Sequence, residues 1–154
     1  MSSVNETDRS IPARRAAILY GVAALVSLVG LADSIYLTVE HLAGRSVRCT
    51  ITSGCSAVLS SPYATVRGYP LAGLGAIAYF LFFSLTTLAA FGYRTGRLLM
   101  VLVAVMFLTT LWLLYLQAFV IHQFCQFCLL SALVTTTLTV LVIFARRKAV
   151  SSER

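Results

Sequence analysis

Four cysteines carry the chemistry this sequence could perform, and they fall into two pairs. Cys125-Gln126-Phe127-Cys128 is a C-x-x-C motif where the hydropathy pattern predicts a helix to begin. A separation of three residues sets both sulfurs on one helical face, within reach of a disulfide. The unpaired N–H groups and the dipole at such a terminus stabilise a thiolate, which lowers the thiol pKa and raises its reactivity. Cys49 and Cys55 form the second pair, six residues apart in a connecting loop. Two pairs that exchange through a mixed disulfide make an electron relay. The same residues have two other uses: a structural staple across the loop, or a four-thiolate zinc or copper site. Structural zinc sites use two tight cysteine knuckles, and the wide first spacing counts against that use. No residue is assigned as a metal ligand.

The elements that must position these cysteines are membrane helices. The 154 residues are 59% hydrophobic and only 11% charged, with a mean hydropathy of +0.90. A soluble domain of this size could not bury so much apolar surface. Four apolar runs, at about 16–39, 71–91, 98–121 and 126–145, each reach the roughly 20 residues that cross a bilayer at ~1.5 Å per residue. The first run is too long for the apolar stretch of a signal peptide and has no clear cleavage site, so it is read as a retained helix. The fold expected is an all-α integral membrane protein, a four-helix bundle over residues 14–146, with polar tails at 1–13 (disordered) and 147–154. The loop 40–70 is broken by Gly44, Gly54, Pro62, Gly68 and Pro70. Within it, Ser53-Gly54 is placed to cap a short helical turn through Cys55, Ala57, Val58 and Leu59. The second connection is a glycine-bounded turn at 92–97, and the third, around 122–125, makes a tight helical hairpin.

Basic residues orient the bundle. Nine of the twelve (Arg9, Arg14, Arg15, Arg94, Arg97, Arg146, Arg147, Lys148 and Arg154) fall on one side, and Arg45, Arg48 and Arg67 on the other. Positive-inside reasoning puts both termini in the cytoplasm and the loop 40–70 outside it, as expected of a multi-pass protein of the cell (inner or plasma) membrane. All four cysteines then lie in or just beneath the non-cytoplasmic segments, where an oxidising compartment permits disulfides. The net charge of +7 is a topology signal and an attraction to anionic lipid. The basic residues are scattered at helix ends without interleaved aromatics, so no nucleic-acid face is expected. The protein is expected to be a monomer in the lipid membrane.

Cys49, the stretch Cys55-Ser56-Ala57-Val58-Leu59-Ser60-Ser61, Gly75 and Tyr79 in the second span, and Cys125-Gln126-Phe127-Cys128 together resemble the vitamin K epoxide reductase family, over roughly residues 15–146. The bacterial disulfide-bond formation membrane protein has the reverse order, with its C-x-x-C in the first loop. The resemblance implies a bundle with a quinone in its non-cytoplasmic half, capped by the first loop. It implies that quinone is reduced while a thioredoxin-fold partner is oxidised, and that this partner puts disulfides into secreted proteins. Carried over by position, Cys49 and Cys55 shuttle electrons from the partner, Cys55 exchanges with Cys125, and Cys128 is nearest the quinone. Ser60 and Ser61 match positions at the top of the pocket. Vertebrate members have a tyrosine four residues after the C-x-x-C, where this chain has Ala132. They have an asparagine at the start of the second helix, where it has Leu71. Ubiquinone or menaquinone is therefore favoured over a vitamin K-type substrate. Some members carry a fused thioredoxin-like domain; here the chain ends soon after its last helix, so a separate partner is expected. The alternatives are vitamin K epoxide or quinone reduction, and a non-enzymatic metal-binding or disulfide-stapled membrane module.

The remaining candidates are polar or aromatic. Phe124, Phe127, Trp112 and Tyr115 could pack on a quinone ring, although interfacial aromatic belts explain such residues too. Asp33 is an acid inside the first span, a costly placement that marks functional candidates, unless it simply sits at the interface. His122 stands three residues before Cys125, as a proton donor or a plain interfacial residue.

Overall fold

The computed structural model describes residues 3–47, 49–51 and 54–153, with side chains described for 14–47, 49–51 and 54–148. Arg48, counted above for topology, and Ser53, the expected helix cap, lie outside the described residues. Four long helices dominate: α1 (Ser3–Leu42), α3 (Leu71–Ala90), α4 (Gly96–Tyr115) and α5 (Gln126–Glu153). Between α1 and α3 come the five-residue α2 (Cys55–Leu59), a 3-10 turn at Pro62–Ala64 and a hairpin of two two-residue strands, β1 (Thr65–Val66) and β2 (Tyr69–Pro70). The α2 turn falls where the sequence predicts it, with Gly54 at its cap. The hairpin is unpredicted: Arg67 and Gly68 both have positive φ, the geometry of a two-residue turn that pairs Val66 with Tyr69.

Four stretches are long and apolar enough to cross a membrane: Arg14–Leu42, Leu71–Ala90, Gly96–Ile121 and Gln126–Lys148. They match the predicted spans to within a few residues. Helical backbone runs on past two of them, to Ser3 and to Glu153, rather than giving way to a disordered tail at residues 3–13. Once a helix is nucleated, each further residue adds a hydrogen bond at little cost.

Along α1 the inside of the bundle is built mainly from small and polar groups, while large apolar ones face outward. Ala16, Ala23, Ala24, Ser27 and Ser34 are buried along one side of α1, which packs along both α3 and α5. Small residues let helix backbones approach closely where apolar burial gives no net drive in lipid. At Gly30 the Tyr79 ring lies where a β-carbon would be, and at Gly75 one would sit 3.3 Å from Ser34 Oγ. Tyr79 also ties α3 to α5, its hydroxyl 2.8 Å from Ser131 Oγ and 2.9 Å from Thr135 Oγ1. Phe82, Leu99, Val103, Leu138 and Val142 complete the main core. Leu25, Val29, Phe80, Leu108 and Leu133 face outward, as a lipid-facing surface requires.

The close approach at Gly30 has a consequence for stability. Gly30→Ala sets a methyl against the Tyr79 ring and destabilises the bundle by about 1–3 kcal/mol. Gly21 has open space around it, so Gly21→Ala stabilises α1 by roughly 0.5–1 kcal/mol. Thermal unfolding in detergent checks the pair: the midpoint falls for the first and holds or rises for the second.

Candidate functional site

The loop and the start of α5 meet at one end of the bundle, in an apolar cluster separate from the main core. Leu37, Val47, Cys55 and Cys125 are its buried members, with Cys49, Val58, Leu59, Ala72, Phe127 and Cys128 packed against them. All four cysteines are thus brought together from positions up to 79 residues apart. Cys49 and Cys55 are joined by a disulfide with Cα atoms 5.7 Å apart, while Cys125 and Cys128 are thiols. Cys55 and Cys125 are 0% exposed; Cys49 is only partly covered. A reagent from solvent can therefore meet Cys49 but neither Cys55 nor Cys125.

Three contacts set this geometry. A β-carbon at Gly54 would lie 2.8 Å from Phe124 O, 2.9 Å from Phe124 N and 2.9 Å from Gln123 Cβ. The backbone before Cys55 thus rests on the backbone before Cys125. Gln126, inside the C-x-x-C, accepts hydrogen bonds through Oε1 from Thr50 N (3.1 Å), Ile51 N (2.9 Å) and the Thr50 hydroxyl (3.3 Å), which pins the loop beside Cys49. Gln117 is buried, and its Oε1 accepts from the Cys125 N–H at 2.9 Å. It sits in the wide π-type turn Leu116–Ile121, after which His122 takes a left-handed conformation and the chain reverses into α5.

Cys125 stands where a helix cap would. Its carbonyl accepts the Leu129 N–H at 3.0 Å. The Cys128 thiol, together with the N–H groups of Cys128 and Phe127, hydrogen-bonds its sulfur and holds the thiol below its ordinary value, against the upward push of burial. An Asp or Ser at an N-cap uses the same donors; here they favour a thiolate.

Below this cluster lies a cavity of about 130 Å³, bounded by α1, α2, the 3-10 turn, α3, α4 with its π turn, and α5. That is a little under the ~150 Å³ of an apolar cavity that binds benzene, so the hollow is on the scale of a single ring. Its walls are mostly apolar, with a few polar groups, the usual make-up of a small-molecule site. Cys128 lines it, as do Ser61, Leu71, Gly75 and Ala132 from the resemblance. Asp33 lines it too, buried at 8% exposure, and its Oδ2 has no hydrogen-bond partner among the described residues. Asp33 thus brings to the hollow a buried carboxyl that the described residues leave partly unpaired, and in its protonated form it can donate to a carbonyl oxygen.

Not every candidate reaches the cavity. Ser60 is exposed on α2's far side, its hydroxyl 3.4 Å from Ala57 O. Trp112 and Tyr115 are more than half exposed and stack on each other, with Phe119 against Tyr115. Phe124 is also exposed, and its backbone rather than its ring serves the site, as the seat for Gly54. Ser60, Phe124, Trp112 and Tyr115 therefore do not line this cavity: α4 is apolar on most sides, so the sequence alone does not reveal which face turns inward. Phe127 packs within the cysteine cluster, with its ring 5.4 Å from that of Tyr36. His122 is exposed and does not line the cavity. Gln117, Gln126 and His41, which lines the cavity, have no role in the sequence analysis, and Gly54 enters it only as a loop breaker and helix cap. Gln117 carried a signal, as a lone amide in an otherwise apolar stretch of span. Among the described residues, no group of three or more His, Cys, Asp or Glu is placed to hold a metal ion.

The model of the family described as the Vitamin K epoxide reductase family matches residues 22–143. The match begins in α1, ends in α5 and includes every residue of the cluster and the cavity. Among curated proteins, none matches this sequence.

The hydrogen bond from Cys128 to Cys125 predicts a titration. In the reduced Cys49→Ser/Cys55→Ser protein, thiolate ultraviolet absorbance first rises below the ~8.5 of an ordinary cysteine. Because the donor stabilises the charged form, Cys128→Ala in that background moves the Cys125 midpoint upward. An unchanged midpoint would remove the Cys128 thiol as its cause.

Proposed function

The chain belongs to the vitamin K epoxide reductase family, an oxidoreductase family whose members use quinones, and on that premise we propose that it is a quinone-dependent thiol oxidase. It is a multi-pass membrane protein. In this reading it takes two electrons from a thioredoxin-fold partner and supports disulfide formation in secreted proteins. The observation that carries it is the juxtaposition of two cysteine pairs with a ring-sized cavity that Cys128 lines.

The order of the relay follows from exposure. Cys49 is the sulfur a partner can reach, so the partner's thiolate attacks it and Cys55 leaves as the thiolate. Resolution by the partner's second thiol releases an oxidised partner and a reduced loop pair. Cys55, buried beside Cys125, attacks the Cys125–Cys128 disulfide at Cys125 and displaces Cys128 at the cavity wall. The resulting Cys55–Cys125 bond is broken when Cys49 attacks Cys55. That restores the loop disulfide and leaves Cys125 and Cys128 as thiols, the pairing the structure holds. A quinone bound in the cavity accepts two electrons and two protons. Cys128 delivers the electrons as the Cys125–Cys128 disulfide re-forms. Cys125, favoured as a thiolate, is the nucleophile that closes this bond.

Leu71 and Ala132 support an ordinary ubiquinone or menaquinone. Both line the cavity as apolar side chains, where the resemblance associates Asn and Tyr with vitamin K contacts. Positive-inside reasoning supports cytoplasmic termini and a cysteine end facing the oxidising compartment of a cell membrane.

Two serine variants test the order. With a reduced thioredoxin-fold protein as donor, Cys128→Ser abolishes quinone reduction by purified protein yet still forms a mixed disulfide with the partner at the loop. Cys49→Ser blocks reduction by protein thiols but leaves part of the rate with a small dithiol. Equal loss of both activities in both variants contradicts the order. No cysteine-dependent quinone reduction with any such donor contradicts the function.

A further inference from the structure

One group at the cavity has no task in the relay. Asp33 lies nine residues before the end of α1, about 13 Å inside the span at ~1.5 Å per residue. A buried acid that merely tied helices together would spend both oxygens on neighbouring donors, since an unmade hydrogen bond costs more than a made one gains. Asp33 Oδ2 has none among the described residues. Several other polar groups of the cavity are engaged with the protein itself. Ser61 Oγ donates to Val58 O at 2.7 Å, Ser131 Oγ is 2.8 Å from the Tyr79 hydroxyl, and Gln117 Oε1 holds the Cys125 N–H. Asp33 and Cys128 thus line one hollow, and the Asp33 carboxyl has an oxygen without a partner among the described residues.

Resting on the quinone reading above, we infer that Asp33 is a catalytic acid: it hydrogen-bonds a carbonyl oxygen of the ring seated in the cavity and delivers a proton to it. A carboxyl at this depth, with no ion pair to a cation among the described residues, is tolerated as the neutral acid. In that form it has one proton to give. The balance closes without another reagent. The S–H bonds of Cys125 and Cys128 break, one S–S bond forms, and two O–H bonds form on the acceptor. Asp33 gives its proton to one oxygen and regains one from the Cys128 thiol, so it ends unchanged. The proton lost by Cys125 returns to the second oxygen through water. Proton delivery by a positioned acid is worth on the order of 10²–10⁴-fold in rate.

The experiment uses full-length protein in lipid nanodiscs, with a short-tail ubiquinone as probe, and compares wild type with Asp33→Asn and Asp33→Leu. Asn keeps a hydrogen-bond donor but has no acidic proton. It should bind the probe within about threefold of wild type yet reduce it on the order of 10²-fold more slowly. Leu should lose about tenfold in affinity as well. Infrared difference spectra of probe binding, a readout independent of turnover, should show a shifted protonated-carboxyl band in wild type and none in Asp33→Asn. Wild-type turnover by Asp33→Asn, or no carboxyl band on binding in wild type, overturns the inference. If probe binding and cysteine-dependent reduction survive either result, this inference falls alone. If wild type neither binds nor reduces the probe, the quinone reading falls with it.

Discussion

The arrangement depends on one contact that only glycine permits. Gly54 rests on the peptide before Cys125 so closely that an added β-carbon would lie within 2.9 Å of backbone atoms of Phe124. Backbone atoms do not move aside as a flexible side chain does, so any other residue lifts the loop. The loop carries Cys55 and, through the disulfide, Cys49. Lifting it separates the two cysteine pairs and opens the apolar cluster to water. A relay of thiol exchange needs sulfurs that can touch, and its electrons must not leak to stray thiols. Seating Cys55 and Cys125 fully buried, with Cys49 partly exposed in the loop and Cys128 at the cavity wall, serves both needs.

Around that contact the two glutamines divide the work. Gln117 holds the backbone of Cys125 from the α4 side, and Gln126 holds the loop beside Cys49 from the α5 side. Each spends a side-chain oxygen on backbone N–H groups that regular helix or sheet would otherwise satisfy. The π turn at Leu116–Ile121 places Gln117, and π turns often mark functional positions in helices. Beneath them the bundle supplies a hollow rather than a packed core. Small residues on α1 draw α3 in at Gly30 and Ser34, α1 also packs along α5, and α4 is held mainly by α5.

Much of this was legible in one dimension. Span length, the reversal after Ile121, the α2 turn and the paired cysteines all follow from residue types in order along the chain. Asp33 was legible as the odd acid in an apolar run. The facing of the spans was not. In soluble helices an apolar stripe marks the buried side, but α4 is apolar on every side, so Trp112 and Tyr115 were as eligible for the cavity as Leu113 and Leu114, which line it. The roles of Gly54 and Gln126 were also hidden, because each is defined by a partner about 70 residues away. The resemblance names Ser60 and Ser61 together; Ser60 closes α2 while Ser61 opens the 3-10 turn, and of the two only Ser61 lines the hollow.

The central claim is that electrons cross from loop to helix between Cys55 and Cys125. Trapping tests it most directly. In the Cys49→Ser/Cys128→Ser double variant, the two remaining sulfurs have no other partner in the chain. Mild oxidation in membranes, followed by proteolysis and non-reducing mass spectrometry, should yield a near-stoichiometric peptide pair linked Cys55–Cys125. Gly54→Val in the same background should abolish the link. Recovery of both cysteines as free thiols in the Gly54 protein, or equal cross-linking with Val at position 54, would contradict the account.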